Sequence, residues 1–385
     1  MSEQHFNPIA LRSFAVASCL ALLAGCGSSS AFTTTTATSG APVGKCDGLA
    51  APGHWQEISP PGMNKAPPYT GALVTLVHPN NAGTLYVTTS YSGLYKSTDC
   101  GASWTKTNTG RNGTMIDQGA VWSAVIDPVN PDTIYALTGY GPSGLWKSTN
   151  GGVDWHNVLP ANMGMPGFVA RIGMDPTNHL HLLLNFHENC TGGHTRVCFG
   201  ESKDGGATWA VLDFPPALQG SWGEGWFPSP IDATHWLLEA WGLYYTADAG
   251  KTWTVLDTGG AAGIGGPFYK AADGSLWLSS LQGVLTSTDG AHWTRIPKSG
   301  SQMDGITGCG NSLYSVVGFQ VPQDNTYVYT ATLAKTTAWS VLQTPGLPQP
   351  MVSGANSITC DASHGIVYVA AQGAGLWRMA TGVGN

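Results

Sequence analysis

The chain has 385 residues, a formal charge of −7 and charged side chains at only 10% of its positions, against 52 Gly and 15 Trp. A mildly acidic chain with no basic stripe excludes nucleic acid as its partner class. So much Gly and Trp describes tight turns and interlocked rings, and no phosphate loop, nucleophile elbow or HExxH pattern calls for a cofactor.

The first element in chain order is an export signal over residues 1–25, in which Arg12 precedes an apolar run, Phe14 to Leu23, too short to span a bilayer and remain there. Its end, Leu23-Ala24-Gly25-Cys26, resembles the bacterial lipobox. That resemblance implies a lipid on Cys26 and a membrane partner through this anchor. With Gly27 rather than an Asp retention residue next, it also implies the outer membrane of the cell envelope, periplasmic or surface-exposed. Residues 26–52, with GSSSAFTTTTATSGAP, read as a flexible polar tether.

From Trp55 onward the chain repeats. Short tails headed by Trp recur at 55, 104, 155, 209, 253, 293 and 339, and five are preceded by a Ser/Thr-x-Asp/Asn-Gly-type box: STDCGASW, STNGGVDW, SKDGGATW, TADAGKTW and STDGAHW. Between tails each unit reads as an apolar strand (VWSAVID), a turn, a second strand (TIYAL), a loop and a third strand (GLWKS). Units of 40 to 54 residues holding four short strands are the signature of propeller blades. The final unit, IVYVAA through Gly375-Leu376-Trp377-Arg378, has only three strands, and the unmatched tail at Trp55 supplies its fourth. Closure by strands from both ends removes two exposed sheet edges. The expectation is an all-β, single seven-bladed propeller over residues 53–379 with a tail at 380–385, a monomer despite a length that would hold two ordinary domains.

Six cysteines follow Cys19 and Cys26, an even number that in an exported protein reads as disulfides, with 15 pairings open. Cys190 with Cys198 would cross one hairpin, Cys309 and Cys360 occupy the same place in adjacent blades, and Cys46 with Cys100 would staple the N-terminal arm to the first blade. Blade three also holds His179, His181, His187 and His194 beside Cys190 and Cys198. His181 and His187 stand about 20 Å apart along a strand, so they cannot share an ion, and export favours a disulfide over thiolate ligands. No metal site is assigned.

The box suits a hairpin between third and fourth strands, where Asp accepts turn amides, Gly takes positive φ and Trp packs between blades. It resembles the Asp-box (BNR) repeat of sialidases, sortilin-type receptors, xyloglucan-degrading endoglucanases and the photosystem II assembly factor family. The resemblance implies boxes at the blade periphery, so Asp99, Asn150, Asp204, Asp248 and Asp289 are read as structural.

A site belongs at the opposite face, on the loops after second strands and on the blade linkers. Those loops place Tyr91, Tyr140, Phe186, Trp241 and Phe319 at matching positions, and the linker SWGEGWFPSP adds Trp222 and Trp226 around Glu224. Rings around one mouth would stack on sugars or line a groove for a peptide. Glycoside hydrolysis asks instead for two facing carboxylates. The mouth-side candidates Asp117, Glu188, Glu224, Glu239 and Asp304 are scattered singly.

The sialidase resemblance implies an arginine triad and an FRIP-like motif, which Phe168-Val169-Ala170-Arg171-Ile172 matches poorly. The xyloglucanase resemblance is carried by SAVIDPVNPDTIYALTG and GLWKSTNGG, yet Ser90 stands where those enzymes place a catalytic Asp, and they use two propellers. The sequence therefore points to a non-catalytic binding or assembly module for an envelope protein, peptide or glycan, with a xyloglucanase-like or sialidase-like hydrolase as the alternative.

Overall fold

Blade two shows how the sequence makes its strands. The run Ala120–Ile126 ends at Asp127, whose Oδ1 accepts the amides of Val129 (2.8 Å) and Asn130 (3.0 Å), turning the chain into Ile134–Gly139. Gly144–Ser148 and the short outer strand His156–Asn157 complete an antiparallel sheet. The computed structural model describes residues 45–382 apart from 67–69, 219–226, 241, 257–265, 301, 319–325 and 336–337. Seven such four-stranded antiparallel sheets make a seven-bladed β-propeller. Second strands such as Leu85–Thr89, Ile134–Gly139 and Ile366–Ala371 are buried at every position, because neighbouring blades cover both of their faces.

The ring closes as the repeat arithmetic predicts. Trp55, Gln56 and Glu57 pair with Met379, Arg378 and Trp377, completing the last sheet. Arg378, 1% exposed, clasps this seam: it donates to Gln56 Oε1 (3.0 Å), to the Cys100 carbonyl (2.7 Å) and to the Gly48 carbonyl (3.0 Å). A buried guanidinium is tolerated only when its donors are satisfied in this way. All three expected disulfides are present, Cys46–Cys100, Cys190–Cys198 and Cys309–Cys360, with Cα separations of 5.1, 6.1 and 5.6 Å.

The boxes lie in the turns between third and fourth strands and share one geometry. Ser97 Oγ accepts the Gly101 amide (2.7 Å) and Asp99 Oδ1 the Ser103 amide (2.8 Å), while the bonds at Ser202 and Asp204 are both 2.8 Å. The residue after the Asp is left-handed throughout, whether Gly151, Gly205, Cys100 or Ala249. Bonds from Thr208 and Thr252 hold the Asp204 and Asp248 carboxyls down at about 2. The boxes also join blades: Tyr135 of blade two donates to the Gly205 carbonyl (2.8 Å), and Tyr368 of blade seven to the Cys100 carbonyl (3.4 Å). The boxes and the loops after the second strands are therefore at opposite ends, since an antiparallel four-stranded blade puts its 1–2 and 3–4 turns on one face and its 2–3 loops and linkers on the other.

Candidate functional site at the propeller mouth

The mouth-side loops of blades one to three bring five rings together. Tyr140, 58% exposed, stands at the centre. It meets Trp122 edge-on at 6.0 Å, Phe168 edge-on at 5.0 Å and His187 at 5.9 Å, and its hydroxyl lies 3.3 Å from His187 Nε2. Phe168 stacks flat on His187, with centroids 4.4 Å apart and planes at 9°. Tyr91, 47% exposed, extends the row by donating from its hydroxyl to the Tyr140 carbonyl (3.4 Å). Gly139 makes the packing feasible, because a Cβ there would collide with the Phe168 ring.

Both tyrosines hold left-handed backbone, with φ of 57° for Tyr91 and 53° for Tyr140. A bulky residue rarely adopts that region, and here it occurs at equivalent loop positions of two blades.

Below the rings runs the central channel, a cavity of about 440 Å³ lined by inner strands of all seven blades. Five of these strands slip register at their mouth ends, between Ala72 and Thr75, Ala120 and Ser123, Val169 and Arg171, Met303 and Gly305, and Ala355 and Ser357. Bulges re-aim side chains. Trp122, Asp304 and Asn356 lie within these bulges and Arg171 next to one, and all four line the channel. Blades three and six lie across the axis, so Arg171 and Asp304 approach it from opposite walls.

Burial pushes the Asp304 carboxyl up to about 8 against the opposing pull of Arg171. Burial likewise lowers the pKa of Arg171, opposed by Asp304 and Tyr140, but a guanidinium stays charged. Asp304 and Tyr140 thus both act electrostatically on Arg171.

The other sequence candidates fall elsewhere. Phe186 is 3% exposed, the last residue of its strand and part of the blade-three core, so it is not a mouth residue; the following residue, His187, reaches the rim instead. Glu239 is fully buried at the end of the second strand of blade four. Asp117, on the short helix Gly113–Asp117, is held by Lys106 Nζ (2.7 Å) and Asn108 Nδ2 (2.7 Å) away from the channel lining. Trp222, Glu224, Trp226, Trp241, Phe319 and Cys26 lie outside the described residues.

Among the described residues lining the channel, Asp304 is the one carboxylate, and Arg171 the one arginine. Arg378 is locked in the closure clasp and Arg295 lies on an outer strand, so these residues assemble neither a hydrolase pair nor a sialidase triad. The Cys190 and Cys198 sulfurs bond each other while His194 turns to Asp213 (3.2 Å), which dissolves the zinc reading of blade three. The described trio with metal-ligand spacing, Cys46, Cys100 and His364, has both sulfurs in a disulfide.

No protein-family model matches the chain, and no curated protein does. Solved structures match it at the level of fold. The GH74 xyloglucanase from Xanthomonas campestris is similar with a TM-score of 0.60 at 16% identity, over 86% of this chain and 54% of that one. YCF48 bound to D1 peptide gives a TM-score of 0.56 at 14% identity, over 88% and 100%. Virginiamycin B lyase from Staphylococcus aureus gives 0.58 at 14%, over 84% and 98%. The chain spans about half the length of the xyloglucanases it matches, and the neighbours include glycoside hydrolases, a lyase and a peptide-binding propeller.

Proposed function

We propose that this chain is a recognition propeller of the cell envelope, lipid-anchored through Cys26, whose mouth binds a peptide or glycan chain without turning it over. The observation that carries the reading is the pair of exposed tyrosines held at left-handed φ above a contiguous aromatic row. Strained, solvent-facing rings buttressed from beneath are what stacking recognition needs and what folding would discard. Three disulfides accord with an oxidising compartment.

Binding of the full chain to glycan and peptide arrays tests it. Tyr140→Ala and Tyr91→Ala should each abolish the signal while leaving the unfolding midpoint near its original value. A ligand that still binds the double variant would sink the proposal. For the anchor, Cys26→Ala should move the protein from the membrane fraction to the soluble one.

The second reading, a glycoside hydrolase, is favoured by one observation: a carboxyl raised to about 8 at the channel mouth has the character of a general acid. Turnover of xyloglucan or a sialoside, abolished by Asp304→Asn or Glu224→Gln, would establish it over the binding reading.

A further inference from the structure

We infer that the channel mouth between Arg171 and Asp304 is a binding site for a single carboxylate group carried on an apolar body. The inference rests on the reading of the mouth as a ligand site and names the chemistry that site selects.

Four features point the same way. The lining residues supply one arginine at the mouth end, whose Nη1 donates to the Ala170 carbonyl (2.9 Å), and a guanidinium with its several donors is the group that best matches the oxygens of a carboxylate. The carboxyl across the axis is 8% exposed and retains its proton at neutral pH, so it can donate a hydrogen bond to an anion instead of repelling it. Asn356, in the blade-seven bulge, has neither its Oδ1 nor its Nδ2 bonded among the described residues, and Ser229 Oγ in blade four is likewise unbonded. Buried polar groups are almost always satisfied, so two such groups lining one cavity from opposite blades call for a polar guest. Finally, Ile172, Ile306, Ile358 and Trp122 make much of the remaining wall apolar.

The size of the cavity, about 440 Å³, admits one ring or short side chain but not a polymer. With a single arginine and an acidic protein overall, a polyanion is disfavoured while one carboxylate is matched. The occupant is therefore a small apolar acid, or the acid-bearing terminus of a longer chain whose next units lie on the Tyr140 row. Gly318 supports the arrangement, since a Cβ there would press on the Asp304 side chain at 2.7 Å.

Among the described residues, the ionisable groups that line the channel with Asp304 are Arg171 from blade three and Lys270 from blade five, and Tyr140 and His187 stand together at the rim.

The test is calorimetric titration of the full chain with 3-phenylpropionate and with its uncharged amide. The acid should bind at least about tenfold more tightly than the amide, and Arg171→Gln should remove that preference. Wild-type affinity for the acid should fall above about pH 8 by close to tenfold per unit, as one ionised carboxylate comes to face another. Asp304→Asn, which keeps a donor and cannot ionise, should bind with a flat profile from pH 6.5 to 9.5.

Equal binding of acid and amide would overturn the inference, as would saturable binding with an identical pH profile in wild type and Asp304→Asn, or no saturation by the acid. The asparagine variant keeps the test decisive if Arg171→Gln fails to fold. Glucuronate and a short peptide with a free or amidated C-terminus then distinguish a free acid from a chain terminus. An array ligand lost in Tyr140→Ala but bound normally by Arg171→Gln would defeat this inference and leave the recognition reading intact.

Discussion

The two ends of the propeller use the same residue types to opposite effect. At the box end, left-handed positions are mostly glycine, the repeated side chains close on their own turn amides, and aspartates are held at about 2 by those bonds. At the mouth end, two left-handed positions carry exposed tyrosines beside glycines such as Gly93 and Gly283, a channel-lining asparagine and serine lack partners among the described residues, and an aspartate is pushed up to about 8. The box end closes its aspartates on its own turns, and the mouth end holds one that lines the channel. On the proposed reading stability and recognition are separated along the axis, and substitutions at the two ends should have different signatures.

The largest effect is expected where box end and closure meet. Arg378→Met removes donors from the Cys100 and Gly48 carbonyls and from Gln56, and should lower unfolding free energy by roughly 3 kcal/mol in urea, with ligand affinity unchanged for the folded fraction.

At the mouth the sign reverses. The folded pKa of Asp304, about 8, lies above its unfolded value, so the folded state binds the extra proton and stability falls as pH rises from about 4 to 8. Asp304→Asn should therefore be more stable than wild type at pH 9 by at least about 1.4 kcal/mol, the equivalent of one pKa unit, with the gap closing toward pH 4. A constant difference across that range would contradict this account.

The box end has its own titration. His181, 2% exposed, is bonded to Asp175 Oδ2 (2.9 Å) and Glu201 Oε1 (3.0 Å). Burial pulls its pKa down, but the bonds to Glu201 and Asp175 outweigh it and raise the value overall. Its stabilisation is then complete below the unfolded histidine pKa and lost as pH climbs through the higher folded one. His181→Gln should flatten that part of the stability profile; an unchanged slope would show another group responsible.

Smaller still, Ser202→Ala should cost about 1 kcal/mol by freeing the Gly206 amide, without touching binding. Tyr140→Gly should change stability by less than about 1 kcal/mol, because relief of the left-handed backbone offsets the lost ring contacts, yet it should abolish binding. If instead Tyr140→Gly destabilised as much as Arg378→Met, the mouth rings would be core and the contrast between the ends would fail.

How much of this was legible in the sequence varies with the range of the interaction. The repeat of Trp tails and boxes is local chemistry that recurs along the chain, so blade number, strand order and closure by Trp55 follow from counting, while the three disulfides followed from where the cysteines fall within the blades. The exposure of Tyr91 and Tyr140 was also readable, because small residues surround each of them. Phe186 misled, since a strand extended to that residue turns the ring into the blade and passes the rim position to His187.

The amino-acid order by itself determined the wheel, because each blade is specified by its own alternation, turns and box. What only the tertiary structure decided is the content of the axle. Trp122, Arg171, Asp304 and Asn356 are 49, 133 and 52 positions apart in sequence and converge because bulges in four separate inner strands tilt them toward one axis. A bulge leaves no mark in hydrophobic periodicity beyond a single slipped residue, and the raised pKa of Asp304 arises from walls supplied by other blades.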